Sequence, residues 1–77
     1  MIKTEGKTVA NILFGRKLAS LRVERGLSQK ELADFCELNR TYIGTIERGE
    51  KSATVNTIYR LSKGLGVSPK DFFSNID

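Results

Sequence analysis

The chain has 77 residues, a formal net charge of +4, one cysteine, no histidine and no apolar run long enough to span a membrane. This length allows one small domain. Because the chain has a single cysteine and no histidine, it cannot assemble a zinc site, a Cys–His pair or a Ser–His–Asp triad, so we predict neither enzymatic activity nor a cofactor. The single cysteine and the lack of a signal-peptide pattern favour the cytoplasm, and the basic excess suits a polyanionic partner.

The chain begins with a polar segment, residues 1–8, which lacks periodicity and predicts a mobile arm. A single domain is expected to fill residues 9–77. Its first helix is predicted from about Val9 to Arg25, because Gly26 follows as a C-terminal cap. The inner face of this helix is expected to hold three apolar side chains: Leu13 or Phe14, Leu18 and Leu21.

Two short amphipathic helices are predicted next, and a tight turn joins them. The first covers residues 29–36, because Ser28 with a glutamate three residues later forms a capping box. The second covers about 40–48, between Asn39 as N-cap and Gly49. Apolar residues share one face of each helix: Leu32, Ala33 and Cys36 in the first, Ile43 and Ile46 in the second. This pattern is typical of a helix-turn-helix, whose second helix enters the major groove of double-stranded DNA.

A loop at about 49–53 separates these helices from a fourth. Thr54 or Asn56 is able to cap it, and Gly64 and Gly66 are expected to terminate it. Its apolar stripe is expected to contain Val55, Ile58, Leu61 and Leu65.

A fifth, short helix is predicted after Ser68, because Pro69 suits the first helical position and Asp71 the third. Phe72 and Phe73 supply its apolar bulk. No segment has the pattern of a strand, so the fold class is predicted to be all-α.

Three segments, in this order and spacing, resemble the XRE, or phage-repressor-like, family that includes the lambda and 434 repressors and Cro. They are LRVERGLSQKELA, RTYIGTIERG and LSKGLGVSPKDFF, and the likeness covers roughly residues 12–74. Within that family, NRTYIGTIERGEK is most similar to the controller proteins of restriction–modification systems. The resemblance implies a compact five-helix, lambda-repressor-like DNA-binding domain.

The chain departs from the family pattern at three positions. Glu37 stands where the family usually has glycine between the motif helices, and a positive φ there would cost about 1 kcal/mol. Gly44 stands where the controller pattern has serine, which removes one candidate base-reading side chain. Ala53 lies near the family's usual proline.

Base contacts are expected from the exposed side of the second motif helix, whose first residues face the base edges. Arg40 suits a bidentate contact with guanine O6 and N7, worth about 1–3 kcal/mol of discrimination. Thr41 and Thr45 suit a thymine methyl or a hydroxyl bond, and Tyr42 suits a sugar-phosphate or a thymine methyl. The alternative for Arg40 is a solvated charge, and the alternative for Tyr42 is packing against a neighbouring helix.

Phosphate contacts are expected to flank the reading helix and to fix its register. By resemblance, Gln29 is the position whose amide grips the DNA backbone, beside the free N–H groups of a helix N-terminus. The further candidates are Lys30, Arg48, Lys51 and Ser52, and solvated surface is the alternative for the two lysines. The resemblance also implies an ion pair between Arg22 and Glu47, with two unrelated surface charges as the alternative.

The sequence therefore predicts a homodimeric transcriptional regulator that binds a near-palindromic operator, including that of its own promoter. Tyr59, Phe73 and Ile76 are expected to form a self-complementary patch, and two-fold symmetry would place the reading helices about 34–36 Å apart, one turn of DNA. The resemblance to controller proteins implies activation at one site and repression at a neighbouring one. Two alternatives stay open: a phage-type repressor or antitoxin of a toxin–antitoxin pair, and a protein-interaction module without DNA binding. The excess of acidic over basic side chains in residues 28–51 suits the second of these.

Overall fold

The computed structural model describes residues 7–74, and this part of the chain is helical with no strand. Its four α-helices are α1 (Val9–Glu24), α2 (Gln29–Cys36), α3 (Arg40–Glu47) and α4 (Val55–Leu65). None of the described helices is long and apolar enough to cross a membrane. Nearly all of the predicted arm at 1–8, and Ile76, lie outside the described residues.

The prediction of a fifth α-helix is wrong. Residues Pro69–Phe72 form a single turn of 3₁₀ helix instead. Four residues are too few to establish a run of α-helical hydrogen bonds, and the backbone bonds from Asp71 N–H to Ser68 and from Phe73 N–H to Lys70 have the three-residue spacing of a 3₁₀ helix. The fold is therefore all-helical, with four α-helices and one 3₁₀ turn in the described part of the chain.

Side-chain caps determine where the helices begin. Four residues each accept a hydrogen bond from a backbone N–H in the first turn of the following helix: Thr8, Ser28, Asn39 and Thr54. At α2 the capping box is complete, since Glu31 accepts the N–H of Ser28 at 2.8 Å. These local bonds satisfy N–H groups that lack a partner within the helix.

One apolar core lies where the helices meet, with α3 packed on α1 and α2, and α4 packed on α2. Its buried side chains are Phe14, Leu18, Leu21, Leu32, Ala33, Cys36, Ile43, Ile46, Leu61, Leu65 and Phe72. Phe14, not Leu13, takes the inner position of α1, and its ring stacks on Phe72 with 5.0 Å between centroids. The 3₁₀ turn thus closes the core against α1.

Two expectations for α4 are corrected. Val55 is 71% exposed and does not belong to the buried stripe. The buried face of α4 is centred on Leu61 and Leu65, and a period of 3.6 residues turns Val55 away from it. Gly64 lies inside the helix and does not end it, because Gly66 provides the left-handed C-cap at φ 71°. A Cβ on Gly64 would overlap Cys36 Sγ, so this glycine lets α2 and α4 approach closely.

The turn between α2 and α3 contains the one non-glycine residue with positive φ in the described range, Glu37. Its φ of 56° and ψ of 43° are left-handed helical. Its backbone carbonyl accepts a hydrogen bond from Arg60 Nη1 at 3.3 Å. Glu37 thus has the positive φ for which a non-glycine residue is predicted to lose about 1 kcal/mol of folding stability.

The C-terminal end of α3 rests directly on α1 at Gly15. A Cβ on Gly15 would lie 2.6 Å from the backbone oxygen of Glu47 and would also overlap that of Ile46. Only glycine allows this approach, so α1 supports the end of the second motif helix.

Candidate nucleic-acid interface

The helix α3 buries one side and exposes the other. Ile43 and Ile46 are fully buried, whereas Arg40 and Thr41 at its N-terminus are exposed. Asn39 Oδ1 accepts the backbone N–H of Thr41 at 2.7 Å and caps the helix. Within residues 7–74 no side-chain hydrogen bond or ion pair holds Arg40. Two side chains expected to read bases therefore project freely from a well-defined helix end.

The other two candidate readers, Tyr42 and Thr45, are partly held by the protein. Tyr42 is half-buried against the core, and its Oη shares a 3.2 Å hydrogen bond with Thr57 Oγ1 on α4. Thr45 Oγ1 donates to the backbone oxygen of Tyr42 at 2.7 Å. The packing alternative for Tyr42 is thus present in the structure, and Thr45 offers its methyl group and oxygen lone pairs to an outside partner.

Arg22 and Glu47 form a bidentate pair between α1 and the end of α3. Arg22 Nε lies 2.6 Å from Glu47 Oε2, and Arg22 Nη2 donates to Glu47 Oε1 at 3.1 Å. The side chains are only 17% and 7% exposed, and Arg22 Nη1 also donates to the backbone oxygen of Leu27 at 2.8 Å. The hydrogen bond to Glu47 raises the pKa of Arg22 above its ordinary value. This pair fixes α3 relative to α1.

Gln29, at the start of α2, joins the same carboxylate. Its Nε2 donates to Glu47 Oε1 at 2.9 Å, so its amide is held in one orientation. An amide nitrogen carries two donors, and the second remains for an outside acceptor. The structure therefore places Gln29 at the junction of α2 and α3.

The other candidate phosphate contacts lie at the surface, and three of them have a partner within the protein. Lys30 Nζ pairs with Asp34 at 3.2 Å, and Ser52 Oγ donates to Asn11 Oδ1 at 2.9 Å. Lys51 is exposed. Arg48 and Glu50 form two parallel bonds between Nε and Oε2 at 3.0 Å and between Nη2 and Oε1 at 3.1 Å. This contact raises the pKa of Arg48 and lowers that of Glu50.

The sequence reasoning missed the residues that hold these candidates in place. Thr57 holds Tyr42, and Glu50 holds Arg48. Neither belongs to a motif, and neither has a spacing from its partner that predicts contact on a helix face. Among the described residues, no cluster of His, Cys, Asp or Glu side chains is suited to a metal ion.

Of the residues expected to form a dimer patch, Tyr59 is 62% exposed and Phe73 is 54% exposed. The Phe73 ring lies 5.9 Å from that of Phe14. Val55 precedes Tyr59 by four residues and so shares its exposed face of α4. The third residue, Ile76, is outside the described range.

A sequence model of helix-turn-helix proteins, HTH_3, matches residues 18–72, which include α2, α3 and the turn between them. The chain belongs to this helix-turn-helix family. The resemblance to the XRE family predicted from the sequence is thereby confirmed.

Similar members of the helix-turn-helix family are controller proteins. Control protein C.BamHI of Bacillus amyloliquefaciens is 46% identical over 61 residues, which cover 78% of this chain and 75% of the relative. Control protein C.MunI of a Mycoplasma species is 39% identical over 67 residues, 86% of this chain and 90% of the relative. The crystal structure of the restriction-modification controller protein C.AhdI from Aeromonas hydrophila matches with a TM-score of 0.84 and 35% identity, over 86% of this chain and 100% of that one.

Proposed function

We propose that this protein is a DNA-binding transcriptional regulator of the cytoplasm that controls a restriction–modification system. The observation that carries this proposal is the capped N-terminus of α3, where Arg40 and Thr41 are exposed. The opposite side of the helix is buried in the core, and the Arg22–Glu47 pair fixes its C-terminal end. The similarity to C.BamHI, C.MunI and C.AhdI, three proteins named as controllers, supports the restriction–modification role.

In this proposal α3 enters the major groove with its N-terminus foremost. Arg40 donates to guanine O6 and N7, and Thr41 contacts the neighbouring base. Tyr42, fixed by Thr57, presents the exposed part of its ring to a thymine methyl or to the sugar-phosphate chain, and Thr45 presents its methyl group.

Phosphate contacts on either side fix the register of α3. The proposed contacts are Gln29, Lys30, Arg48, Lys51 and Ser52. Lys30 and Arg48 exchange their carboxylate partners for phosphate oxygens when DNA binds. The binding energy gained from these phosphates is therefore reduced by the loss of two ion pairs of the free protein.

We further propose that the protein acts as a homodimer on a near-palindromic operator in its own promoter. One eight-residue helix offers few base contacts, and two copies double the specificity available to a small domain. The proposed interface contains Tyr59 and Phe73, whose side chains are exposed, together with Ile76, and the exposed Val55 extends it.

A binding assay on the DNA upstream of the protein's own gene tests the proposal. The wild-type chain is expected to bind this DNA in preference to a scrambled duplex. Arg40→Ala is expected to lose about 1–3 kcal/mol of that discrimination while keeping a salt-sensitive residual affinity. Arg16→Ala, which removes an exposed arginine of α1, serves as the control with the same loss of charge.

The outcomes separate the two parts of this proposal. If Arg40→Ala binds with unchanged sequence preference, Arg40 is not a reader. If the wild-type chain binds neither the upstream DNA nor any other duplex, the regulator function itself is wrong.

A further inference from the structure

The hydroxyl group of Thr45 spends its one hydrogen inside the protein. Thr45 Oγ1 donates to the backbone oxygen of Tyr42 at 2.7 Å, and the two residues lie three positions apart on α3. A threonine hydroxyl has a single hydrogen to donate and two lone pairs that accept. Towards a partner outside the protein, Thr45 Oγ1 is therefore an acceptor only.

This bond belongs to the helix itself and does not depend on any other part of the fold. Threonine is branched at Cβ and has a stiff χ1, and one of the two rotamers it favours in a helix makes a bond of this kind. Thr45 is partly buried between Gly44 and Ile46, which are both buried. Since both bonded atoms are on α3, the helix keeps the bond when it docks onto another molecule.

Thr41, one turn earlier on the same side of α3, has a hydroxyl of a different kind. Its backbone N–H is bonded to Asn39 Oδ1, but within residues 7–74 its Oγ1 makes no hydrogen bond. The side chain is exposed, so Thr41 Oγ1 donates or accepts as the partner requires. Of the two threonines expected to read bases, only Thr45 thus has a fixed hydrogen-bonding polarity.

The bases of DNA fall into two classes by the exocyclic group that each presents in the major groove. Adenine and cytosine carry an amine, which is a donor, where guanine and thymine carry a carbonyl oxygen, which is an acceptor. A hydroxyl that only accepts pairs with the amine. Opposite a carbonyl it would bring two acceptor oxygens together with no hydrogen between them, so the two classes are distinguished.

We propose that Thr45 is a specificity-determining residue that selects an amine base, adenine or cytosine, on the strand it contacts. This inference rests on the proposed function and deepens it by naming the class of base, in addition to any contact of the Thr45 methyl group. Arg40 carries only donors and requires the opposite class, an acceptor such as guanine. The two residues are five positions apart, about 7.5 Å along the helix axis, so they face different base pairs.

Selection of bound duplexes from a randomised DNA library, followed by sequencing, tests the inference with the full chain. The wild type is compared with Thr45→Val, which keeps the shape of the side chain without the hydroxyl, and with Thr45→Ser, which keeps the hydroxyl. We expect one position of the wild-type motif to favour adenine and cytosine over guanine and thymine by about fivefold to tenfold. Thr45→Val should lose this preference and Thr45→Ser should keep it. The more enriched of the two bases then identifies which amine is bound.

Thr41→Val is the matched control, because it removes a hydroxyl from the same side of α3 and should leave the amine preference intact. Thermal unfolding verifies that each variant is folded. A second measurement needs no variant: fluorescence anisotropy compares the selected duplex with one whose amine base is replaced by the same base without its exocyclic amine. The wild type is expected to bind the altered duplex about tenfold more weakly, whereas Thr45→Val should bind both duplexes equally.

Three results overturn the inference. They are a Thr45→Val motif identical to that of the wild type, a preference for guanine or thymine at the position that responds to Thr45→Val, and an unchanged affinity of the wild type for the duplex without the amine. A wild-type chain that selects no motif from the library contradicts the proposed function itself, so the two failures are distinguishable.

Discussion

Glu47 is the residue through which three helices are joined at the candidate interface. Its carboxylate accepts hydrogen bonds from Arg22 on α1 and from Gln29 on α2, while it forms the last residue of α3 itself. The pair is largely shielded from water, so removing either partner would leave a charge without compensation. The orientation of the second motif helix therefore depends on one side chain that never needs to touch DNA.

Glu37 is expected to reduce stability through its left-handed backbone. Replacing it by glycine removes the steric cost of a Cβ at φ 56° and should raise the free energy of unfolding by about 1 kcal/mol. Urea unfolding followed by circular dichroism measures the change. Glu24→Gly, at the end of α1, is the matched control and should lower stability. Equal losses in both variants would show that the conformation of Glu37 carries no cost.

The carboxyl of Glu50 is expected to titrate below its ordinary value of 4.5, because the hydrogen bond from Arg48 stabilises its charged form. A lowered pKa means that this pair favours the folded state above the ordinary pKa, and that the contribution disappears as the pH falls through the folded value. Carbon-detected NMR titration of the carboxyl measures the pKa directly. In Arg48→Met the pKa should rise towards 4.5, and no change in this variant would contradict the assigned cause.

At the scale of elements, the starts of the helices could be predicted because their signals are local. Ser28 and Asn39 cap residues within three positions of themselves, and α2 has the predicted bounds. The exposure of Val55 and the place of Gly64 inside α4 depend on which neighbouring helix approaches, and no local pattern contains that information. The last element has the caps of an α-helix and still forms only a 3₁₀ turn, because capping residues indicate where a helix starts and not how far it continues.

Gly15 sets the distance between α1 and the end of α3, so a larger residue at this position is expected to push the two helices apart. Gly15→Ala places a methyl group against two backbone oxygens and is expected to cost about 1–3 kcal/mol of stability. Urea unfolding measures the cost. Gly44→Ala is the matched control, since the atoms near that position are the ends of the Arg48 and Gln29 side chains and not backbone, so the fold should tolerate the methyl group. A Gly15→Ala variant as stable as the wild type would show that the two helices separate without penalty.

For the molecule as a whole, the candidate site was predictable where residues follow a motif and unpredictable where distant segments meet. Arg40 and Thr41 are exposed at the start of α3, as the helix pattern indicates. The Arg22–Glu47 pair joins residues 25 positions apart, so only the resemblance implied it and no spacing rule did. The hydrogen bond from Tyr42 to Thr57 depends on how α4 lies against α3, which is a property of the complete fold.

The proposed dimer makes a prediction at this same scale. Tyr59→Lys places a charge on the exposed apolar face of α4 and is expected to weaken self-association at least about tenfold, since two such charges would meet across a two-fold axis. Analytical ultracentrifugation measures the dimer fraction. Phe35→Lys changes an equally exposed aromatic residue on α2 and should leave association unchanged. If the two variants behave alike, the interface lies elsewhere.

The close packing of Gly64 on Cys36 has a chemical consequence. Burial raises the pKa of the Cys36 thiol, against a smaller opposing effect of a hydrogen bond with the Gly64 backbone. Thiolate is the form that oxidants and alkylating reagents attack, so the native protein keeps this sulfur protonated and out of reach. Separation of α2 from α4 would expose this sulfur, so the single thiol of the chain is expected to react faster in molecules whose domain has opened.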